Sequence, residues 1–99
     1  MYLRLTMTEE QKLQSKIISD LNKRGWIVVK TITLSKSGFP DVFAFKKGKV
    51  IFFEVKAKNG VRSKLQQYRI EQLQAEGFTA EFVDDYDNYL RIINIYELR

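Results

Sequence analysis

The chain has 99 residues, of which 44% are hydrophobic and 13% aromatic, enough for one domain around one core. It contains no Cys and no His. Disulfides, Cys- or His-ligated metals, thiol nucleophiles and Ser-His-Asp triads are therefore excluded. A hydrolase built from this sequence would have to use carboxylates, lysine and a hard, oxygen-liganded cation. We predict a single domain spanning residues 1–99.

The net charge of +5, from 17 basic and 12 acidic residues, favours polyanionic partners such as nucleic acids, although many ordinary proteins are equally basic. The sequence has no apolar run of the length that crosses a bilayer. Residues 1–7 are too short and too polar for a signal peptide. We therefore expect a cytoplasmic protein without membrane contact.

Hydrophobic spacing and turn residues predict helices and strands in the order αβββαβ. The predicted elements are a helix over Thr8–Arg24, strands over Trp26–Ile32, Asp41–Phe45 and Lys49–Ala57, a helix capped by Ser63, and a strand over Thr79–Asp84. The tail from Tyr86 to Leu98 is ambiguous between helix and strand. An antiparallel meander followed by a crossover helix implies an α/β fold, with a mixed central sheet flanked by helices.

The start of the first helix carries a capping signal. Thr6 or Thr8 can act as N-cap, and Glu9 or Gln11 can complete a capping box. The sequence alone leaves these pairs as alternatives.

A two-residue turn at Lys47-Gly48 would set the register of the second and third strands so that Asp41 faces Glu54. Facing residues share one side of a sheet, with β-carbons roughly 5 Å apart, and Lys56 lies on that side too. Two facing carboxylates repel each other, and a divalent cation between them would compensate. Alternatively, Glu54 and Lys56 are solvent-facing residues of an amphipathic strand, and Asp41 is a turn residue.

In this arrangement Lys56 would lie near the cation and any bound phosphate. It could orient the attacking water, deprotonate it, or stabilise the charge that develops on the phosphate. The sequence does not choose among these three roles.

Four short motifs occur in the chain in a fixed order. They are a first helix with Glu10 before Leu13 and Gln14, then Gly38-Phe39-Pro40-Asp41, Glu54-Val55-Lys56, and Ser63-Lys64-Leu65-Gln66. This pattern resembles the PD-(D/E)xK nucleases, and more narrowly the virus-type replication-repair nuclease (VRR-NUC) family. The resemblance covers roughly Thr8 to Asp85, and the core fold of that family is also αβββαβ.

The resemblance implies a site that binds Mg²⁺ or Mn²⁺ and hydrolyses DNA. The implied metal ligands are Asp41, Glu54 and the backbone carbonyl of Val55, and the implied further catalytic residues are Lys56, Gln66 and Glu10. Two of these residues have simpler explanations. Glu10 is also favourable near a helix N-terminus, with Glu9 as an alternative site residue, and Gln66 is also the capping-box partner of Ser63.

The same resemblance implies a structure-selective endonuclease acting on branched DNA or Holliday junctions in replication, repair or recombination, in a bacterial or phage-infected cell. Family members that consist of this domain alone look homodimeric, so the resemblance also implies a homodimer. The apolar tail could supply a dimer interface or complete the core. Candidate DNA-binding residues are Lys36, Lys58, Arg62 and Lys64. The alternatives are a non-catalytic nucleic-acid-binding module that retains the nuclease fold, and an interaction protein without DNA contact.

Overall fold

The structure is a computed structural model that describes residues 7–32 and 34–98. Its elements are α1 (Glu9–Lys23), β1 (Ile27–Lys30), β2 (Val42–Lys46), β3 (Lys49–Val55), α2 (Lys64–Ala75), β4 (Thr79–Val83) and α3 (Tyr86–Glu97). The predicted αβββαβ order is confirmed, and α3 resolves the ambiguous tail as a helix. Strand boundaries were predicted less well, because β2 begins one residue after Asp41 and β3 ends at Val55 rather than Ala57.

The four strands form one sheet in the order β1-β2-β3-β4. The first two pairings are antiparallel, and the pairing of β3 with β4 is parallel, with α2 as the crossover. Phe43 pairs with Phe52 and Lys46 with Lys49, as the predicted two-residue turn requires. Lys47 and Gly48 in the turn both have positive φ, 49° and 79°, as a type I′ turn demands.

Each face of the sheet has its own hydrophobic core because side chains alternate along the strands. Helices α1 and α3 cover one face, where Phe53 and Val55 of β3 are fully buried. Helix α2 packs on the other face, where Phe52 meets Ile70 and Leu73. Glu54 lies between Phe53 and Val55 in sequence and therefore points to the α2 side.

Helix α3 completes the first of these cores. Tyr89 and Ile93 are fully buried, and the Tyr89 hydroxyl donates a hydrogen bond to Asp20 of α1 at 2.7 Å. Only the far side of α3 is apolar and exposed, at Ile95 and Leu98. Leu90, Ile92 and Tyr96 are partly buried and pack against this core.

Capping boxes fix the starts of α1 and α2. Thr8 caps α1 with Gln11 as its partner, and Ser63 caps α2 with Gln66. The alternative cap Thr6 lies outside the described residues. Within residues 7–32 and 34–98, no helix combines the length and apolarity needed to cross a bilayer.

Candidate active site

Asp41 is the last residue of the loop between β1 and β2 and lies at the end of the sheet. Gly38 has φ +82°, and a Cβ at this position would lie 2.6 Å from Leu65 Cγ of α2, so the backbone approaches the helix more closely than a side chain would allow. Arg69 of α2 donates a hydrogen bond to the Ser37 carbonyl at 3.0 Å. The loop is thus packed against α2 immediately before Asp41.

Both carboxylate oxygens of Asp41 accept hydrogen bonds. The backbone N–H of Val55 donates to Oδ1 at 3.1 Å, and the side-chain amide of Gln14 donates to Oδ2 at 2.9 Å. An ionised carboxylate has about four acceptor positions. These two contacts therefore orient Asp41 and leave acceptor positions for a metal ion.

Glu54 is 4% exposed, which is unusual for an acidic residue. Its Oε2 accepts a hydrogen bond from Gln66 Nε2 at 3.2 Å and lies 3.5 Å from Lys56 Nζ. Asp41 and Glu54 are the next positions along the register that pairs Val42 with Phe53. The two acids therefore lie side by side at the open end of the hairpin.

The pKa values of the two acids are raised by their burial and by neighbouring negative charges. Burial raises the pKa of Asp41. Burial, followed by the charge of Asp41, raises the pKa of Glu54 to about 7, although Lys56 opposes the shift. The negative charge of Glu10 adds to both increases. Each of these repulsions would be relieved by a cation bound between the carboxylates.

The donor set fits a hard divalent cation. Mg²⁺ takes one or two carboxylates and fills its other positions with water or phosphate oxygens. Asp41, Glu54 and the Val55 carbonyl offer oxygen only, from adjacent strand ends. Among residues 7–32 and 34–98, no three acidic side chains come together as a metal site. Glu10 lies close enough for its negative charge to raise the pKa of both acids.

The structure brings most of the predicted site residues together. Lys56 and Gln66 both contact Glu54. Gln66 makes two contacts at once, since its Oε1 accepts from the Ser63 N–H while its Nε2 donates to Glu54. The alternative residue Glu9 is exposed and pairs with Lys12 at 3.3 Å.

The four predicted DNA-binding residues lie close in sequence to the site residues. Lys36 is in the loop before Asp41, Lys58 follows Lys56, and Lys64 is the first residue of α2; all three are exposed. The side chain of Arg62 already has partners within the protein. Its Nη2 lies 3.7 Å from Asp84 Oδ2, and its guanidinium lies 4.6 Å from the centre of the Phe82 ring.

Gln14 is the site residue that the sequence did not assign. It is 7% exposed and lies on the buried face of α1 with Ile17 and Leu21, yet it contacts Asp41. A polar residue within an apolar helical stripe is a detectable signal. Its partner lies 27 residues away and could not be identified from spacing.

The chain is similar to a known protein family and to solved structures. The family model of the archaeal Holliday junction resolvase (Hjc) matches residues 9–84. A solved structure described as a VRR_NUC domain superimposes with a TM-score of 0.82 at 24% identity, covering 91% of this chain and 99% of that one. A second, a VRR_NUC domain protein, gives a TM-score of 0.73 at 20% identity, covering 92% and 89%.

No curated protein matches the chain significantly. The family match spans α1 to the end of β4 and includes every predicted site residue. The two structural likenesses identify the fold, in agreement with the sequence resemblance to PD-(D/E)xK nucleases. The chain has the VRR-NUC fold and belongs to the archaeal Holliday junction resolvase family.

Proposed function

We propose that this protein is a metal-dependent endonuclease that hydrolyses DNA phosphodiester bonds, with a preference for branched DNA such as four-way junctions. The observation that carries the proposal is that Asp41 and the buried Glu54 lie next to the Val42–Phe53 pair and close enough to influence each other, with Lys56 Nζ 3.5 Å from the Glu54 carboxylate. Membership of a junction-resolving family supports the choice of substrate.

We assign separate roles in metal binding, charge stabilisation and positioning to the residues of the site. Asp41, Glu54 and the Val55 carbonyl would hold Mg²⁺ or Mn²⁺, which would polarise the phosphodiester and activate water. Lys56 forms an ion pair with Glu54, so we assign its ammonium to stabilising the charge that develops on the phosphate. Gln66 holds Glu54 in place from α2.

DNA would reach the site along the exposed lysines Lys36, Lys58 and Lys64. Contacts of this kind bind the phosphate backbone and do not read sequence, which suits an enzyme that recognises DNA shape. Because DNA is the proposed substrate, we also propose that the protein acts inside the cell.

We also propose that the active form is a homodimer. Each chain supplies one site, whereas a symmetric junction must be cut at two positions, which a two-fold dimer can reach together. The β1 side of the sheet carries Ile27 and Val29, which are 69% and 45% exposed, and these residues could pack against a second copy. Light scattering should give a mass of about twice 11.7 kDa. A monomeric mass at the concentration that cleaves DNA would contradict this assembly.

The function is tested by incubating the protein with Mg²⁺ or Mn²⁺ and a panel of DNAs with shared arm sequences. The panel contains a four-way junction, a flap, a nicked duplex, a linear duplex and a single strand. We expect cleavage of the junction in preference to the linear duplex, and no cleavage in EDTA.

Three variants identify the site. Asp41→Asn, Glu54→Gln and Lys56→Ala should each lower the cleavage rate by about a hundredfold or more while keeping the fold. Asp87→Asn and Lys23→Ala, which change exposed residues of the same types outside the site, should cleave like the wild type. DNA binding without cleavage of any substrate would instead identify a non-catalytic binding module.

A further inference from the structure

Gln14 is a polar side chain in an apolar environment. It lies in the middle of α1, and Ile17 and Leu21 on the same face are fully buried. A buried amide without a partner costs free energy, so a glutamine at this position must make a compensating hydrogen bond. An aliphatic residue would fill the same space without that requirement.

The compensating partner of Gln14 is the carboxylate of Asp41, at 2.9 Å from Nε2 to Oδ2. The other oxygen of that carboxylate is held by the Val55 N–H of β3. Asp41 is therefore held by hydrogen bonds from α1 and β3, one to each carboxylate oxygen, and these bonds fix the orientation of the carboxylate. If Gln14 were removed, Oδ2 would lose its donor from α1.

The chemical type of the donor matters as much as its position. A Lys or Arg at position 14 would place a positive charge beside Asp41 and compete with a cation for it. An amide donates a hydrogen bond without neutralising the carboxylate. At the second acid, Gln66 of α2 donates to Glu54 Oε2, and the positive charge beside this acid comes from Lys56 at 3.5 Å. Each acid thus accepts from one neutral side-chain amide, and of the two only Glu54 has an ion-pair partner among the described residues.

We propose that Gln14 is a positioning residue that fixes the Asp41 carboxylate in the orientation needed to bind a divalent cation. The inference rests on the proposed function, because it assigns Gln14 a role at the same metal site. Residues that orient metal ligands typically change metal affinity or activity by 10- to 100-fold when they are lost.

The test uses Gln14→Leu in the full chain, since leucine suits the apolar stripe of α1 and cannot donate to Asp41. The dissociation constant for Mn²⁺ is measured by calorimetry in the absence of DNA, and the rise in melting temperature on adding Mn²⁺ is measured in parallel. We expect the variant to fold, to bind Mn²⁺ about 10- to 100-fold more weakly, and to show a smaller rise in melting temperature. Its affinity for junction DNA in EDTA should equal that of the wild type.

Gln67→Leu is the matched control, because Gln67 is an exposed glutamine next to Gln66 on α2 and contacts neither acid. It should bind Mn²⁺ like the wild type. If Gln14→Leu folds poorly, Gln14→Met repeats the measurement with an unbranched side chain. A folded variant whose Mn²⁺ affinity lies within twofold of the wild type would overturn the proposal, and so would failure of both variants to fold, which would make Gln14 a structural residue. Wild-type protein that binds no Mn²⁺ would instead overturn the proposed function itself.

Discussion

The surroundings of Glu54 oppose the ionisation of its carboxyl group. Burial and the neighbouring Asp41 raise its pKa from 4.5 to about 7, so in the absence of metal it is only partly ionised near neutral pH. The folded state therefore binds the proton more tightly than the unfolded state. The resulting contribution to the free energy of unfolding is complete below pH 4.5 and is lost as the pH rises through about 7.

Glu54→Gln removes this titration and gives the first prediction. In EDTA, the free energy of unfolding of the wild type should fall relative to that of Glu54→Gln by up to about 3 kcal/mol between pH 4.5 and 8. Urea unfolding of both proteins at several pH values measures the difference. Curves that stay parallel across this range would show that Glu54 is ionised normally.

Metal binding requires the ionised carboxylate, so the same shift gives a second prediction. The affinity of the wild type for Mn²⁺ should rise between pH 5.5 and 7.5 and then level off, as Glu54, whose pKa is about 7, loses its proton. Calorimetric titrations at a series of pH values test this. Affinity that does not change over the range would contradict the assigned ligands.

Gln66 combines a structural and a functional contact, and two substitutions separate them. Ser63→Ala removes the cap oxygen of α2 and should cost about 1 kcal/mol of stability, while cleavage changes little because Gln66 still donates to Glu54. Gln66→Glu keeps an acceptor for the Ser63 N–H but replaces the donor to Glu54 with a second negative charge. Its cleavage rate should fall by at least tenfold, as measured with the junction substrate. Equal losses of cleavage in the two variants would contradict this division.

At the scale of elements, the β1–β2 loop is held in place by its close approach to α2. Gly38→Ala would put a left-handed φ on an L-residue and push its Cβ against Leu65, so we expect a loss of about 2 kcal/mol or more and slower cleavage. Gly48→Ala is the control, because its φ is also positive but no atom lies within 4 Å of the added Cβ. It should cost about 1 kcal/mol and leave cleavage unchanged. Urea unfolding and the junction assay measure both effects.

The elements that the sequence predicted well are those with strong local signals. Both capped helices and the hairpin register follow from residues close together in the chain, such as Ser63 with Gln66 and the Lys47-Gly48 turn. The segment that forms α3 was ambiguous because its apolar residues fit the spacing of a helix and also that of a strand. In the structure it is a helix that packs against α1. The contact of Gln14 with Asp41 depends on how α1 sits on the sheet, which local patterns do not encode.

At the scale of the whole molecule, the two ends of the sheet carry different groups of charged residues. The end with the hairpin turn is tied together by Glu97 of α3, which accepts hydrogen bonds from Arg24 and Trp26 and lies near Lys46. The opposite end carries Asp41, Glu54 and the exposed residues Lys58 and Lys64. The charged residues around Glu97 and those of the proposed metal site are therefore separate groups.

This separation predicts that position, and not total charge, controls DNA binding. Lys58→Gln with Lys64→Gln should weaken junction binding and reduce the slope of log K against log salt by up to about two, since each phosphate contact contributes about 0.9. Lys23→Gln with Lys47→Asn removes the same charge from exposed positions far from the paired acids and should leave the slope unchanged. Equal effects of the two pairs in fluorescence titrations would indicate a diffuse electrostatic attraction.

The most direct test of the account is a crystal of the wild-type protein soaked in Mn²⁺ and measured for anomalous scattering. We predict a peak within bonding distance of the Asp41 and Glu54 carboxylates and the Val55 carbonyl, and its absence in Asp41→Asn. Carboxylates without a peak between them in the wild type, or a peak that persists in the variant, would contradict the assignment of this site as a metal-dependent nuclease centre.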